Sequence, residues 1–160
     1  MFGVRSIFAA LRSRPGPKTA FERGVVALES GDHAGAVLEF EQVLSEGSEP
    51  GGLATAHNKR GVALVGLGRR DEALEAFCAA LAQDERCAPA LVNLGNMLLE
   101  GGHALDAIDY YDAAIRADET YPAAYRNLGI ALRRVGRRAE SVRALRSADR
   151  IAGRLRRPRA

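Results

Sequence analysis

Small residues recur along this chain with a single period. Gly61, Gly95 and Gly129 stand 34 residues apart, and so do Gly68, Gly102 and Gly136. The same step joins Ala73, Ala107 and Ser141; Phe77, Tyr111 and Leu145; and Ala80, Ala114 and Ala148. A period of this length marks stacked supersecondary units, none of which can bury its apolar faces alone. An earlier copy, Gly24, Gly31, Ala36, Phe40 and Val43, keeps the internal spacing but lies 37 residues before the next. The three additional residues fall within 45–52 (SEGSEPGG), a turn-rich stretch in which insertion is tolerated.

Each unit reads as helix, turn, helix. Leu91, Leu94, Leu98 and Leu99 recur at helical spacing, Gly101 and Gly102 end that helix, and Leu105, Ile108, Tyr111 and Ile115 mark the next. Pro89 and Pro122 sit in the opening turn of a first helix, where a missing N–H costs nothing. The pattern predicts helices at 18–30, 33–45, 53–67, 70–83, 88–101, 104–117, 122–135 and 138–155. Gly95 falls in mid-helix, where glycine costs about 1 kcal/mol relative to alanine. Its presence there implies that another element approaches closely. Ala107 and Ala114 are small for the same reason, and Tyr111 is the large knob expected to fill the space between hairpins. The predicted organisation is a repeat array over 18–152, in units of about 17–50, 54–87, 88–121 and 122–152, flanked by basic segments 1–17 and 153–160.

The columns Gly95, Gly102, Ala107, Tyr111 and Ala114, with Tyr125 opening the fourth unit, resemble the tetratricopeptide repeat. The resemblance covers residues 18–151 and implies an all-α, right-handed α-solenoid of four helix-turn-helix hairpins. The chain departs from the family pattern in two ways. Glu85 and Glu119 stand where a unit usually ends in proline, and Arg23 and Arg60 replace the leucine before the glycine in the first two units.

The resemblance also implies a function: a non-enzymatic scaffold or adaptor that binds a peptide or a partner helix in a concave groove lined by first helices. The groove positions would be Lys18, Phe21, Glu22 and Val25 in unit one, and Thr55, Asn58, Lys59 and Val62 in unit two. They would be Val92, Asn93, Asn96 and Leu99 in unit three, and Arg126, Asn127, Ile130 and Arg133 in unit four. Asn93 and Asn127 are equivalent, 34 residues apart. An amide both donates and accepts, so it can pair with a peptide backbone whatever its side chains. The alternative is that these asparagines bond locally between neighbouring helices. The family's clamp for a C-terminal carboxylate is incomplete, because Val92 stands where a lysine is needed.

Charge is segregated. Residues 1–18 carry four bases and no acid; 19–125 carry seven bases against eighteen acids; 126–160 carry twelve arginines against Glu140 and Asp149. In the last helix Arg143, Arg146, Arg150, Arg154 and Arg157 share one face by their spacing. That stripe is either the polar cap an exposed terminal repeat requires, or a docking face for an acidic partner, an anionic membrane surface or a second copy of the chain. The acidic body argues against nucleic acid. A self-associating assembly protein is the alternative function.

Residues 1–14 (MFGVRSIFAALRSR) read as a leader helix or tail, or as an organelle-targeting segment; otherwise a cytoplasmic location is expected. The two cysteines, Cys78 and Cys87, match no zinc or redox spacing, and Cys78 reads as a small apolar filler. Gly61–Arg70 lacks the Lys-Ser/Thr of a phosphate loop, and His33, His57 and His103 fall in different units. No catalytic residue, metal site or cofactor is expected.

Overall fold

Thr19 starts the first described helix with a reciprocal cap. Its Oγ accepts from the Glu22 N–H at 3.1 Å, and the Glu22 carboxylate accepts from the Thr19 N–H at 3.2 Å. The computed structural model describes residues 19–47 and 50–156. These form α1 (Ala20–Ser30), α2 (His33–Glu46), α3 (Pro50–Gly66), α4 (Arg70–Gln83), α5 (Ala88–Glu100), α6 (Ala104–Ala117), α7 (Pro122–Arg134) and α8 (Arg138–Leu155). Residues 1–18 and 157–160, and with them Lys18 and Arg157, lie outside the described residues.

The eight described helices pair into four hairpins, α1/α2, α3/α4, α5/α6 and α7/α8. Each second helix also packs on the first helix of the next hairpin, and α1, α3, α5 and α7 touch in succession. The architecture is therefore an all-α solenoid. Every hairpin turns on a left-handed glycine: Gly31, Gly68, Gly102 and Gly136 have φ of 82°, 74°, 89° and 81°. Only glycine adopts that backbone without strain.

The mid-helix glycines lie at close contacts. A β-carbon on Gly24, Gly61 or Gly95 would stand 2.8, 2.5 or 2.6 Å from the ring of Phe40, Phe77 or Tyr111, and one on Gly129 would stand 2.7 Å from Leu145. Phe40, Phe77 and Tyr111 are fully buried. Each knob thus seats on the glycine of its own hairpin, and the hairpins then stack around it. Tyr111 also shares a buried cluster with Ala124 and Leu128 of the fourth hairpin, so it fills the space between hairpins as expected.

Between hairpins, Asp84 and Asp118 each stand one residue before the glutamate that occupies the family's proline position. Asp84 Oδ1 accepts from the Arg86 N–H at 2.9 Å, and Asp118 Oδ1 accepts from the Thr120 N–H at 2.8 Å. These side-chain turns end α4 and α6 where a proline would otherwise stop the helix.

Arg23 and Arg60, which replace the family's leucine, each find an acid. Arg23 pairs with Glu39 across the first hairpin at 2.7 Å, and Arg60 reaches back from α3 to Glu41 on α2 at 2.9 Å. The equivalent Leu94 and Leu128 are buried.

Two expectations change. The three additional residues do not all form a turn: α3 begins at Pro50 and runs 17 residues, against 13 in α5 and α7. Cys78 is exposed, not a core filler, whereas Cys87 is buried and its thiol is pushed up by burial.

Candidate functional site

The first helices present their middle turns along one side of the array, and the amides predicted there meet in pairs. Asn93 Nδ2 on α5 donates to Asn58 Oδ1 on α3 at 2.8 Å, and Asn127 Nδ2 on α7 donates to Asn96 Oδ1 on α5 at 2.7 Å. The Tyr111 hydroxyl donates to the same Asn96 oxygen at 2.8 Å, so the knob of the third hairpin is tied to the amide chain. Burial raises the Tyr111 phenol to about 12, and it therefore remains a donor across the neutral range.

The two roles weighed for these asparagines are thus both open to them. One amide hydrogen of Asn93 and of Asn127 is committed to a neighbouring helix. Each amide has two donors and an acceptor, so the remaining groups are available on these half-buried side chains.

Other predicted groove residues are distributed unevenly. Asn58 (8% exposed) and Val92 (4% exposed) are buried: Asn58 is held by Asn93, and Val92 packs in the core between the third and fourth hairpins. Neither offers a surface to a ligand, which corrects their placement as groove-lining contacts. Leu99 is buried with Val92, and Phe21 packs edge-on against Phe40 with ring centroids 5.7 Å apart. Lys59, Asn96 and Ile130 are half-buried, and Arg126 and Arg133 are exposed. Among the described residues, Arg126 and Arg133 have no acid within ion-pair distance.

Between α3 and α5 the surface opens into a pocket of about 120 Å³. Val62, Val65, Phe77 and Met97 supply its apolar wall, Asn93 and Asn96 its amide edge, and the Arg70–Glu100 ion pair, at 2.7 Å, its far edge. Val62 and Val65 are 39% and 41% exposed. Of these, Val62, Asn93 and Asn96 are groove positions expected from the sequence, whereas Val65, Met97, Arg70 and Glu100 are not. Val65 lies three residues after Val62, on the same helical face, and that spacing was the available signal. The same junction is loose on its opposite side. Leu74 is 44% exposed, although Val37 and Ile108, its equivalents on α2 and α6, are buried.

On α8, Arg143, Arg146, Arg150 and Arg154 are exposed. No group of His, Cys, Asp or Glu among the described residues could hold a metal ion. No described helix is long and apolar enough to cross a membrane.

Four stacked hairpins with glycine-seated knobs and a row of first helices define a helical-repeat solenoid of the kind that presents an extended face to other molecules. By comparison with known families, residues 58–122 match the model of the tetratricopeptide repeat. Solved structures extend the fold over most of its length. The crystal structure of MamA is similar at a TM-score of 0.69 and 22% identity, covering 94% of this chain and 86% of that one. YrrB, described as a TPR protein with an unusual peptide-binding site, gives 0.62 and 23%, covering 82% and 66%. The second TPR of Spaghetti (RPAP3), bound to the HSP90 peptide SRMEEVD, gives 0.59 and 21%, covering 63% and 88%. No curated protein matches the sequence.

Proposed function

We propose that this chain is a protein-interaction scaffold that holds an extended peptide or a partner helix along α3, α5 and α7. The observation that carries this reading is the row of half-buried amides Asn93, Asn96 and Asn127, ordered by their helix-to-helix bonds, beside the open pocket between α3 and α5. It places polar groups that suit a peptide backbone next to a site that suits an apolar side chain. YrrB and the RPAP3 domain, whose folds are similar, are described with a peptide-binding site and a bound peptide respectively. The test is co-purification from the native cell with tagged wild type and with the Asn93→Ala/Asn127→Ala double variant, after both show the same helical signal. Loss of the partner supports the groove. Equal recovery by the two proteins rejects it.

A second reading, self-association through α8, rests on the exposed arginine face and on two apolar side chains beside it. Val142 is 47% exposed and Leu155 65% exposed. Charge pairing between exposed groups is screened by salt, so light scattering with and without ~0.5 M salt tests it. A mass that stays monomeric at low salt ends this reading.

A further inference from the structure

Neighbouring hairpins of the array meet through equivalent residues, so each contact between them shows what would meet if another hairpin lay against either end. Three polar contacts fix the register. Asn58 on α3 accepts from Asn93 on α5 at 2.8 Å. Arg70 on α4 pairs with Glu100 on α5 at 2.7 Å. Arg134 on α7 donates to the Leu99 carbonyl on α5 at 2.6 Å. Moved along by whole repeats, Asn58, Arg70 and Leu99 become Arg126, Arg138 and Arg133 of the fourth hairpin. Moved back by whole repeats, Asn93 becomes Glu22 of the first hairpin, and Glu100 and Arg134 both become Glu29. The last described hairpin thus carries bases at the positions that face a following hairpin, and the first carries acids at the positions that face a preceding one.

The apolar contacts follow the same register. Val37 on α2 shares a buried cluster with Ala63 on α3, and Ile108 on α6 shares one with Ala131 on α7. Their equivalents at the two ends are Val142 on α8 and Val26 on α1, which are 47% and 50% exposed. One juxtaposition is between like charges. Arg146 stands at the position of Glu41, and Arg23 at that of Arg60. The Arg23 guanidinium is already held by Glu39 at 2.7 Å, so Arg146 would face a neutral pair.

We propose that a second copy of this chain stacks its first hairpin on the fourth hairpin of the first copy and continues the solenoid head to tail, with Arg126 on Glu22, Arg133 and Arg138 on Glu29, and Val142 on Val26. This rests on the self-association reading above and names both of its surfaces. A second copy fits better than a foreign acidic partner, because the matching acids lie on the same chain at the positions the repeat dictates. The Glu22 carboxylate also accepts from the Thr19 N–H, and a carboxylate has lone pairs enough for a guanidinium besides. Such a contact joins two different surfaces and does not close, so assembly continues past two chains.

Sedimentation equilibrium of the full chain at ~0.05 M salt should give a mass that climbs with concentration and returns towards one chain at ~0.5 M salt. Glu29→Arg alone, and Arg133→Glu/Arg138→Glu alone, should each weaken association at least about tenfold. All three side chains are exposed, so the helical signal should not change. Mixed in equal amounts, the two variants should assemble again, because acid then faces base at both junctions. A damaged fold would not recover on mixing. Association that persists equally in both variants, that stops at two chains, or that mixing fails to restore overturns the head-to-tail register and leaves self-association through α8 standing. A wild-type mass of one chain up to ~1 mM at low salt overturns both.

Discussion

Gly95 on α5 is the seat of Tyr111 on α6: a β-carbon on Gly95 would stand 2.6 Å from the ring. The tyrosine is fully buried, and its hydroxyl passes out of the core to Asn96, one residue beyond its seat. One contact therefore closes the hairpin and anchors the amide chain of the groove face.

Alanine at these seats should destabilise the protein even though alanine is the better helix former. Overpacking costs about 1–3 kcal/mol, and the gain in helix propensity returns at most about 1 kcal/mol. Gly61→Ala and Gly95→Ala meet rigid rings, and should lose about 1–2 kcal/mol in denaturant unfolding. Gly129→Ala meets Leu145, whose flexible side chain is only half-buried, and should lose less. Equal losses at Gly95 and Gly129 would contradict the ring-seat explanation.

Tyr111 should be the last tyrosine to ionise. Burial holds its phenol at about 12, above the usual 10. The folded state then keeps a proton that the unfolded state releases, so stability is full below pH 10 and declines as pH rises from 10 towards 12. Absorbance titration of the phenolate should show a late component that Tyr111→Phe removes. The same substitution deletes the bond to Asn96, which should cost about 0.5–1.5 kcal/mol at neutral pH.

His57 should weaken the fold in acid. Burial, and then the neighbouring Arg60, push its imidazole below the ordinary value of 6.5, and its Nδ1 has no hydrogen-bond partner. The unfolded chain therefore takes up the proton first. The stability that neutral His57 preserves is complete above 6.5 and is lost as pH falls below it. Thermal melts from neutral pH to pH 5 should show a smaller decline in His57→Gln than in the wild type.

The Arg60–Glu41 pair should contribute modestly. Glu41 is 45% exposed, and exposed pairs of this kind are worth about 0.2–1 kcal/mol. A double-mutant cycle with Arg60→Ala and Glu41→Ala should give a coupling in that range, shrinking with added salt.

Helix order was legible because glycine and proline punctuate this chain at nearly every boundary. The start of α3 was not, because 45–52 looks like a turn by composition, yet proline fits a first helical turn as well as a loop. The amide pairing was hidden by stagger. The columns repeat at 34, but Asn93 meets Asn58, 35 residues away, and Asn127 meets Asn96, 31 residues away. Aligning the repeats column by column finds equivalent residues, not touching ones. The burial of Val92 was obscured similarly: its equivalent Arg126 is exposed only because no described first helix follows α7 to cover it. The pocket between α3 and α5 depends on how two particular hairpins splay, and a strict repeat would have made every junction alike.

The most direct test of the groove is an isotope-labelled amide spectrum of the full chain, titrated with a peptide selected on the wild type. The account predicts that shifts concentrate on α3, α5 and α7, include the side-chain amides of Asn93, Asn96 and Asn127, and leave α4 and α6 quiet. Shifts confined to α8 or to the outer faces of α4 and α6 would contradict it.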